Sequence, residues 1–224
     1  MLEALVVQIL LGVGFLLMIS VLIYAKSNKE HVAKTAPKPA NANQESTVGQ
    51  YRIASRIGNM AGHLQFLFVM LNLLLYNFIS QYVPRLDFAV FSTPIQLIAF
   101  ACTIFGCGIM FVAYRVLGAN FINSEQRDGR IPLPAEQELV QTGIYKHIRN
   151  PVYLGTYLVT GGWAFLTLDV LVVVFFIIYA VGLYFTVLDE EKALLKHFGD
   201  AYAQYFQRTG RFFPKHKEVI LKLE

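Results

Sequence analysis

Residues 152–187 form a run of 36 with one charged side chain, Asp169. That run points to lipid as the solvent. A spanning helix needs about 20 mostly apolar residues, so this one is too long for a single ordinary span. It reads as two short helices joined by a tight turn near Leu168 and Asp169. Residues 2–24, 57–79 and 94–117 carry the same apolar signature. Composition agrees: 55% of the 224 residues are hydrophobic and 15% are charged, where soluble domains carry about 25% charged residues. Mean hydropathy is +0.48. A soluble cytosolic enzyme, a disordered chain and a secreted disulfide scaffold are excluded on these grounds.

The first apolar segment has neither the basic start nor the small-residue cleavage site of a signal peptide, so it reads as a retained span. Residues 25–51 are rich in Lys, Asn, Ala and Pro. Pro37 and Pro39 would break a helix there, and a mobile linker is expected. Pro84 and the Ser92-Thr93-Pro94 turn separate the second and third spans. A polar stretch covers 118–150, and 189–224 is amphipathic and charged. The expected fold is an all-α integral membrane protein with about five transmembrane helices and a cytoplasmic, helical, cofactor-binding C-terminal region. It divides into 1–56 (first span and linker), 57–117 (spans two and three) and 118–224 (cofactor loop, hairpin 152–187 and C-terminal helix).

Charge placement predicts an orientation. Lys and Arg gather in cytoplasmic loops near helix ends. With five spans, 18 of the 19 basic residues share one face and only Arg85 lies on the other; four or six spans would scatter them. The N-terminus is then outside and the C-terminus inside. Compact length and the lack of an organelle-targeting segment point to a prokaryotic plasma membrane. The basic excess is small, 19 against 15 acids, and its clustering at helix ends argues against nucleic acid. Cys102 and Cys107 sit in an apolar run and read as packing residues. His31, His147, His197 and His216 lack metal-ligand spacing, so no metal is expected. His63, Gln65, Asn72 and Asn77 read as interhelical hydrogen-bonders, and Gly58 with Gly62 as a small-residue packing face.

Two polar segments look unlike plain loops. Residues 142–155 place Tyr145, Arg149, Asn150 and Tyr153 at the start of a membrane helix. Pro151 suits the first helical turn and Asn150 the N-cap, and an anion would be stabilised there. The same residues also fit an interfacial helix start with a snorkelling arginine and aromatic anchors. Residues 189–202 bring Asp189, Glu190 and Glu191 to the end of the last span. Acids there oppose the helix dipole unless the helix continues through them. They read either as a solvated turn or as carboxylates facing a pocket, where they would accept from a ribose diol or offset a cation. No GxSxG, P-loop, CxxC or Rossmann glycine pattern is present.

In this order, the two segments resemble the membrane methyltransferases related to isoprenylcysteine carboxyl methyltransferase, a group that includes the phospholipid methyltransferases. The resemblance rests on Gly143, Tyr145, Arg149, Asn150, Pro151, Tyr153 and Gly155. After a helical hairpin it resumes at Glu190, Glu191, Leu194, Phe198, Gly199, Tyr202 and Tyr205, and closes on Arg211 to Pro214. An upstream Leu117-Gly118-Ala119-Asn120-Phe121 also fits. The likeness covers about 114–214. It implies S-adenosylmethionine as cofactor, held between the loop before the penultimate span and the helix after the last. Carried over by position, the cofactor contacts would be Glu138, Leu139, Val140, Tyr145, Asn150, Pro151, Tyr153 and Glu190. The family often has His at Asn150, and its prenylcysteine enzymes have Arg at Thr186; the latter departure weighs against a prenylcysteine carboxylate acceptor.

The expected activity is methyl transfer to a lipophilic or small acceptor bearing a carboxylate, thiol or amine, with membrane lipid as surroundings. Arg149, Glu190 and Glu191 are the candidate catalytic groups, and no base is singled out. An NADPH-dependent reductase of the sterol-reductase type, with Arg127, Arg130 and Arg149 on the 2′-phosphate, is one alternative. A non-catalytic membrane protein is another. The sequence carries no signal for oligomeric state.

Overall fold

The structure, a computed structural model, describes residues 1–35, 46–48, 51–118, 130–132 and 138–215. In lipid, every backbone N–H and C=O must find its partner within the protein, and helices do this within one segment. The described chain accordingly forms α1 (Ala4–Thr35), α2 (Arg52–Tyr82), α3 (Ser92–Leu117), α4 (Pro151–Thr167), α5 (Val170–Phe198) and α6 (Asp200–Arg208). By length and composition α1, α2, α3 and α5 can each cross a membrane. With 17 residues, α4 is about 25 Å long, at the short limit for a span.

The bundle has two ends. At one, Leu2 N donates to Gln96 Oε1 (2.8 Å), and Gln96 Nε2 donates to Leu166 O (2.8 Å). There too, Leu86 N bonds Leu168 O and Val170 N bonds Pro84 O. At the other, Tyr51 N donates to Asp189 Oδ2 (2.9 Å). Five helices run between these ends, so Arg85 stands apart from Arg52, Arg149 and Lys192.

Close packing follows from small residues. In lipid, helix association depends on van der Waals fit, and glycine lets backbones approach. A Cβ on Gly58 would lie 2.5 Å from Gly182 Cα, and one on Gly62 2.8 Å from the Tyr179 ring. This seam joins α2 to α5. Gly106, Gly155 and Gly162 make the equivalent seam between α3 and α4; a Cβ on Gly155 would meet Met110 Cγ at 2.4 Å. Polar pairs lock the register: Gln65 Nε2 donates to Thr160 O (2.7 Å) and Asn72 Nδ2 to Asp169 Oδ2 (3.1 Å). His63 and Asn77, expected to pair likewise, are exposed instead. Cys102 and Cys107 are free thiols.

The hairpin turns where the sequence suggests. Leu168 takes the left-handed conformation (φ 55°). Asp169 caps α5, its Oδ1 accepting from Leu171 N (2.8 Å) and Val172 N (3.2 Å), as N-cap carboxylates do. The second arm, however, is not short. α5 continues through Asp189, Glu190 and Glu191 to Phe198, because those acids find partners and the last turn carries Lys196 and His197, which suit the dipole.

Two further differences concern the linker. α1 is described as far as Thr35; Ala25, Lys26, Lys29, Glu30, Ala33 and Lys34 are compatible with helix. Pro37 and Pro39 themselves lie outside the described residues. Farther on, β1 (Ser46–Val48) pairs antiparallel with β2 (Arg130–Pro132), Thr47 opposite Ile131. Thr, Val and Ile favour strands, but three residues are too few for a readable alternation.

Candidate functional site

The end of the bundle holding Asp189 gathers the start of α4, the last turns of α5, all of α6 and the segment beyond it. Gly199 makes this possible. Its φ of +53°, a conformation open to glycine at little steric cost, ends α5 and turns the chain into α6. The chain after α6 then lies along residues 147–150. Gly210 N donates to His147 O (3.2 Å), Arg149 N to Gly210 O (2.8 Å) and Asn150 N to Arg211 O (3.1 Å). Tyr205 Oη donates to Tyr145 O (2.7 Å).

Glu191 is the hub. Its Oε1 accepts from Arg149 Nε (3.1 Å) and Asn150 Nδ2 (2.8 Å). Its Oε2 accepts from Arg211 Nε (3.1 Å) and Nη2 (2.7 Å). Arg149 also donates through Nη1 to the carbonyls of Phe206 and Thr209, and its guanidinium stacks 4.0 Å from the Phe206 ring centre. Arg149, Asn150 and Glu191 are all buried. The Glu191 carboxylate holds the Arg211 guanidinium above its ordinary pKa.

Glu190 does something else. Successive helix positions differ by about 100°, so it faces a different neighbour and accepts from Tyr153 Oη. It is half-buried. The two adjacent acids are thus separated into a buried structural carboxylate and one nearer the surface.

The expected site residues are placed as follows. Arg149, Asn150, Tyr153, Glu190 and Glu191 come together. Tyr145 is buried and joined to them through Tyr205 and α6. Pro151 occupies the first position of α4. Glu138 is exposed, with Leu139 and Val140 half-buried; they lead into Gln141, whose Oε1 accepts from Arg208 Nη2 (2.9 Å). Asn150 stands at the N-cap but makes no capping bond. Its Nδ2 donates to Glu191 Oε1 instead (2.8 Å), a charge-assisted bond that fixes the side chain on α5. The chain thus supplies its own anion beside this helix start. Asp189, flagged with the other two acids, accepts from Tyr51 N instead. Sequence reasoning gave no role to Arg211 or Thr209; Arg211 was visible in the closing Arg–Pro element, whereas nothing flagged Thr209.

Burial pushes the phenols of Tyr145, Tyr202 and Tyr205 well above their ordinary value of 10. They stay neutral when folded, while unfolded tyrosine ionises near pH 10. Their raised pKa therefore leaves stability intact below about pH 10 and removes it as pH climbs further. Phenolate absorbance and circular dichroism followed together should show these three ionising only as the fold opens. Full tyrosine titration at about pH 10 with an intact fold would count against their burial.

The fold and this ion-paired end define an all-α membrane protein with a polar centre at one mouth of its bundle. Residues 95–201, just under half of the chain, match the phospholipid methyltransferase family model. The chain is also similar to a solved structure of the eukaryotic intramembrane Ras methyltransferase, isoprenylcysteine carboxyl methyltransferase. The identity is 20% and the TM-score 0.48, over 88% of this chain and 64% of that one. No curated protein matches.

Proposed function

We propose that the protein is an S-adenosylmethionine-dependent membrane methyltransferase. Its acceptor is lipophilic or small and carries a carboxylate, thiol or amine. The observation that carries this reading is the meeting of Tyr153 with Glu190, inside the stretch that matches the phospholipid methyltransferases.

The donor set suits the cofactor. When bound, S-adenosylmethionine supplies a methyl group on a positively charged sulfur, so the protein's work is binding and alignment. Glu190 offers a half-buried carboxylate to a ribose diol or a cationic group, and Tyr153 fixes its position. Tyr145, neutral and buried, would add an aromatic face, Leu139, Val140 and Pro151 apolar surface, and Glu138 a further carboxylate. Asn150 holds the helix start in place through Glu191. Arg149 and Glu191 are engaged with each other and act as positioning residues, so an amine acceptor that must lose a proton would give it to Glu190. A carboxylate or thiolate acceptor needs no base. The reductase alternative loses support, because the Arg149 guanidinium is engaged by Glu191 and two carbonyls. Arg127 lies outside the described residues. The segregation of basic side chains favours a cytoplasmic site, with the N-terminus outside.

Membranes carrying the protein, given methyl-labelled S-adenosylmethionine, should yield one labelled lipid or small molecule. Glu190→Gln should cut the labelling by about 10²-fold if the acceptor is an amine, with the thermal midpoint unchanged. Absence of any labelled product from the folded wild type would sink the reading.

A further inference from the structure

On the far side of Glu191 from Glu190 and Tyr153, a hollow of about 320 Å³ opens between α5 and α6. Leu188, Leu195, Ala203 and Phe206 give it an almost wholly apolar wall, and Lys192 and Arg211 stand at its polar edge. Glu191 is the one acid lining it. That carboxylate is shared by two guanidinium groups, Arg149 and Arg211, so the cluster carries a net positive charge. Arg211 gives two bonds to Glu191 and one to Tyr184 Oη. A guanidinium has five N–H groups, so two have no partner among the described residues.

Depth in the bilayer decides what that ligand is. α5 starts at Val170, beside the Arg85–Asp169 bridge at the opposite end. At about 1.5 Å per residue, Leu188 stands about 27 Å along the helix and Lys192 about 33 Å. The hydrocarbon core is about 30 Å thick. Leu188 thus falls at the edge of the acyl region and Lys192 and Arg211 at the level of lipid phosphates. Leu195 and Phe206, which line the hollow, are exposed apolar side chains. Apolar surface beside cationic groups at this depth is the pattern of anionic-lipid binding.

We infer that this hollow is a binding site for one anionic phospholipid of the surrounding leaflet, separate from the Tyr153–Glu190 site. The acyl chain runs past Leu188 into the bilayer, Leu195 and Phe206 line the hollow around the headgroup, and the phosphate takes N–H groups of Arg211, with Lys192, whose Nζ rests 4.6 Å over the Tyr51 ring, as a neighbouring positive charge. A lipid seated there bridges α5 and α6, and so braces the pairing of residues 209–211 with 147–150. The inference does not depend on methyl transfer.

Native mass spectrometry of the full chain in detergent, with phosphatidylglycerol or phosphatidylcholine added, tests it. The wild type should retain phosphatidylglycerol at least about fivefold better, the factor expected for each basic group at the membrane surface. Lys192→Gln should lower that retention by a similar factor. Ala203→Phe, which fills the hollow without touching a charge, should abolish the preference. Equal retention of the two lipids, or an unchanged preference in Ala203→Phe, would overturn the assignment. A dimer lost in Ala203→Phe, without lipid preference, would give the hollow to a second copy of the chain instead.

Discussion

Glu191→Ala is expected to lower the stability of the protein by about 3–5 kcal/mol, the cost of breaking a buried ion pair from one side. The reason is what remains. Arg149 keeps a buried guanidinium with its carboxylate gone, Asn150 loses the acceptor of its amide, and Arg211 loses both bonds through Nε and Nη2. Those three residues tie α4 and the chain end to α5, so the damage should spread to the pairing of 147–150 with 209–211. A shape-matched apolar replacement of both partners, Glu191→Leu with Arg149→Met, should be milder than either single change, because the only charge left unpaired is Arg211, which is 26% exposed and keeps its bond to Tyr184. Thermal unfolding in detergent reads the difference. A midpoint within a degree of wild type in Glu191→Ala would show that the carboxylate is not the hub of this end.

Gly182→Leu should be comparably severe. The position leaves no room: a Cβ would lie 2.3 Å from Gly58 Cα and 2.9 Å from Ala54 O. Both obstacles are backbone, so side-chain repacking cannot relieve the clash, and α2 must part from α5. Overpacking a core costs about 1–3 kcal/mol where side chains give way; here the loss should exceed that range. Gly108→Ala is the control, with nothing within 4 Å of its added Cβ. It should be neutral or gain up to about 1 kcal/mol, the helical advantage of alanine over glycine. Equal behaviour of the two variants would contradict the close approach of α2 and α5.

Part of this was legible in the residues. Apolar runs mark spans because lipid admits few alternatives to helix, and the third run, 94–117, ends with α3 at Leu117. The hairpin turn at Asp169 could be seen because a 36-residue apolar run is too long for one span and its lone charge marks the place to turn. The end of α5 could not be seen. Three acids after Val187 look like a stop, and only the distant Arg149 and Arg211 explain why the helix passes through them. The same gap hid the division between Glu190 and Glu191. Which of two neighbours points inward depends on helical phase, and phase follows from packing. Asn150 stands at the N-cap as expected, but its bond to Glu191 could not be seen, because that partner lies 41 positions away. The short ladder of Thr47 with Ile131 depends on contact between segments far apart in sequence.

Calorimetric titration of the purified protein with S-adenosylhomocysteine tests most directly whether the start of α4 and Glu190 enclose the place of a methyl donor. Binding by the wild type is expected, weakened by about tenfold or more in both Tyr153→Phe and Glu190→Gln, as the loss of a hydrogen bond to a charged group predicts, while their thermal midpoints hold. A folded wild type that does not bind, or two variants that bind as tightly as it does, would contradict that placement.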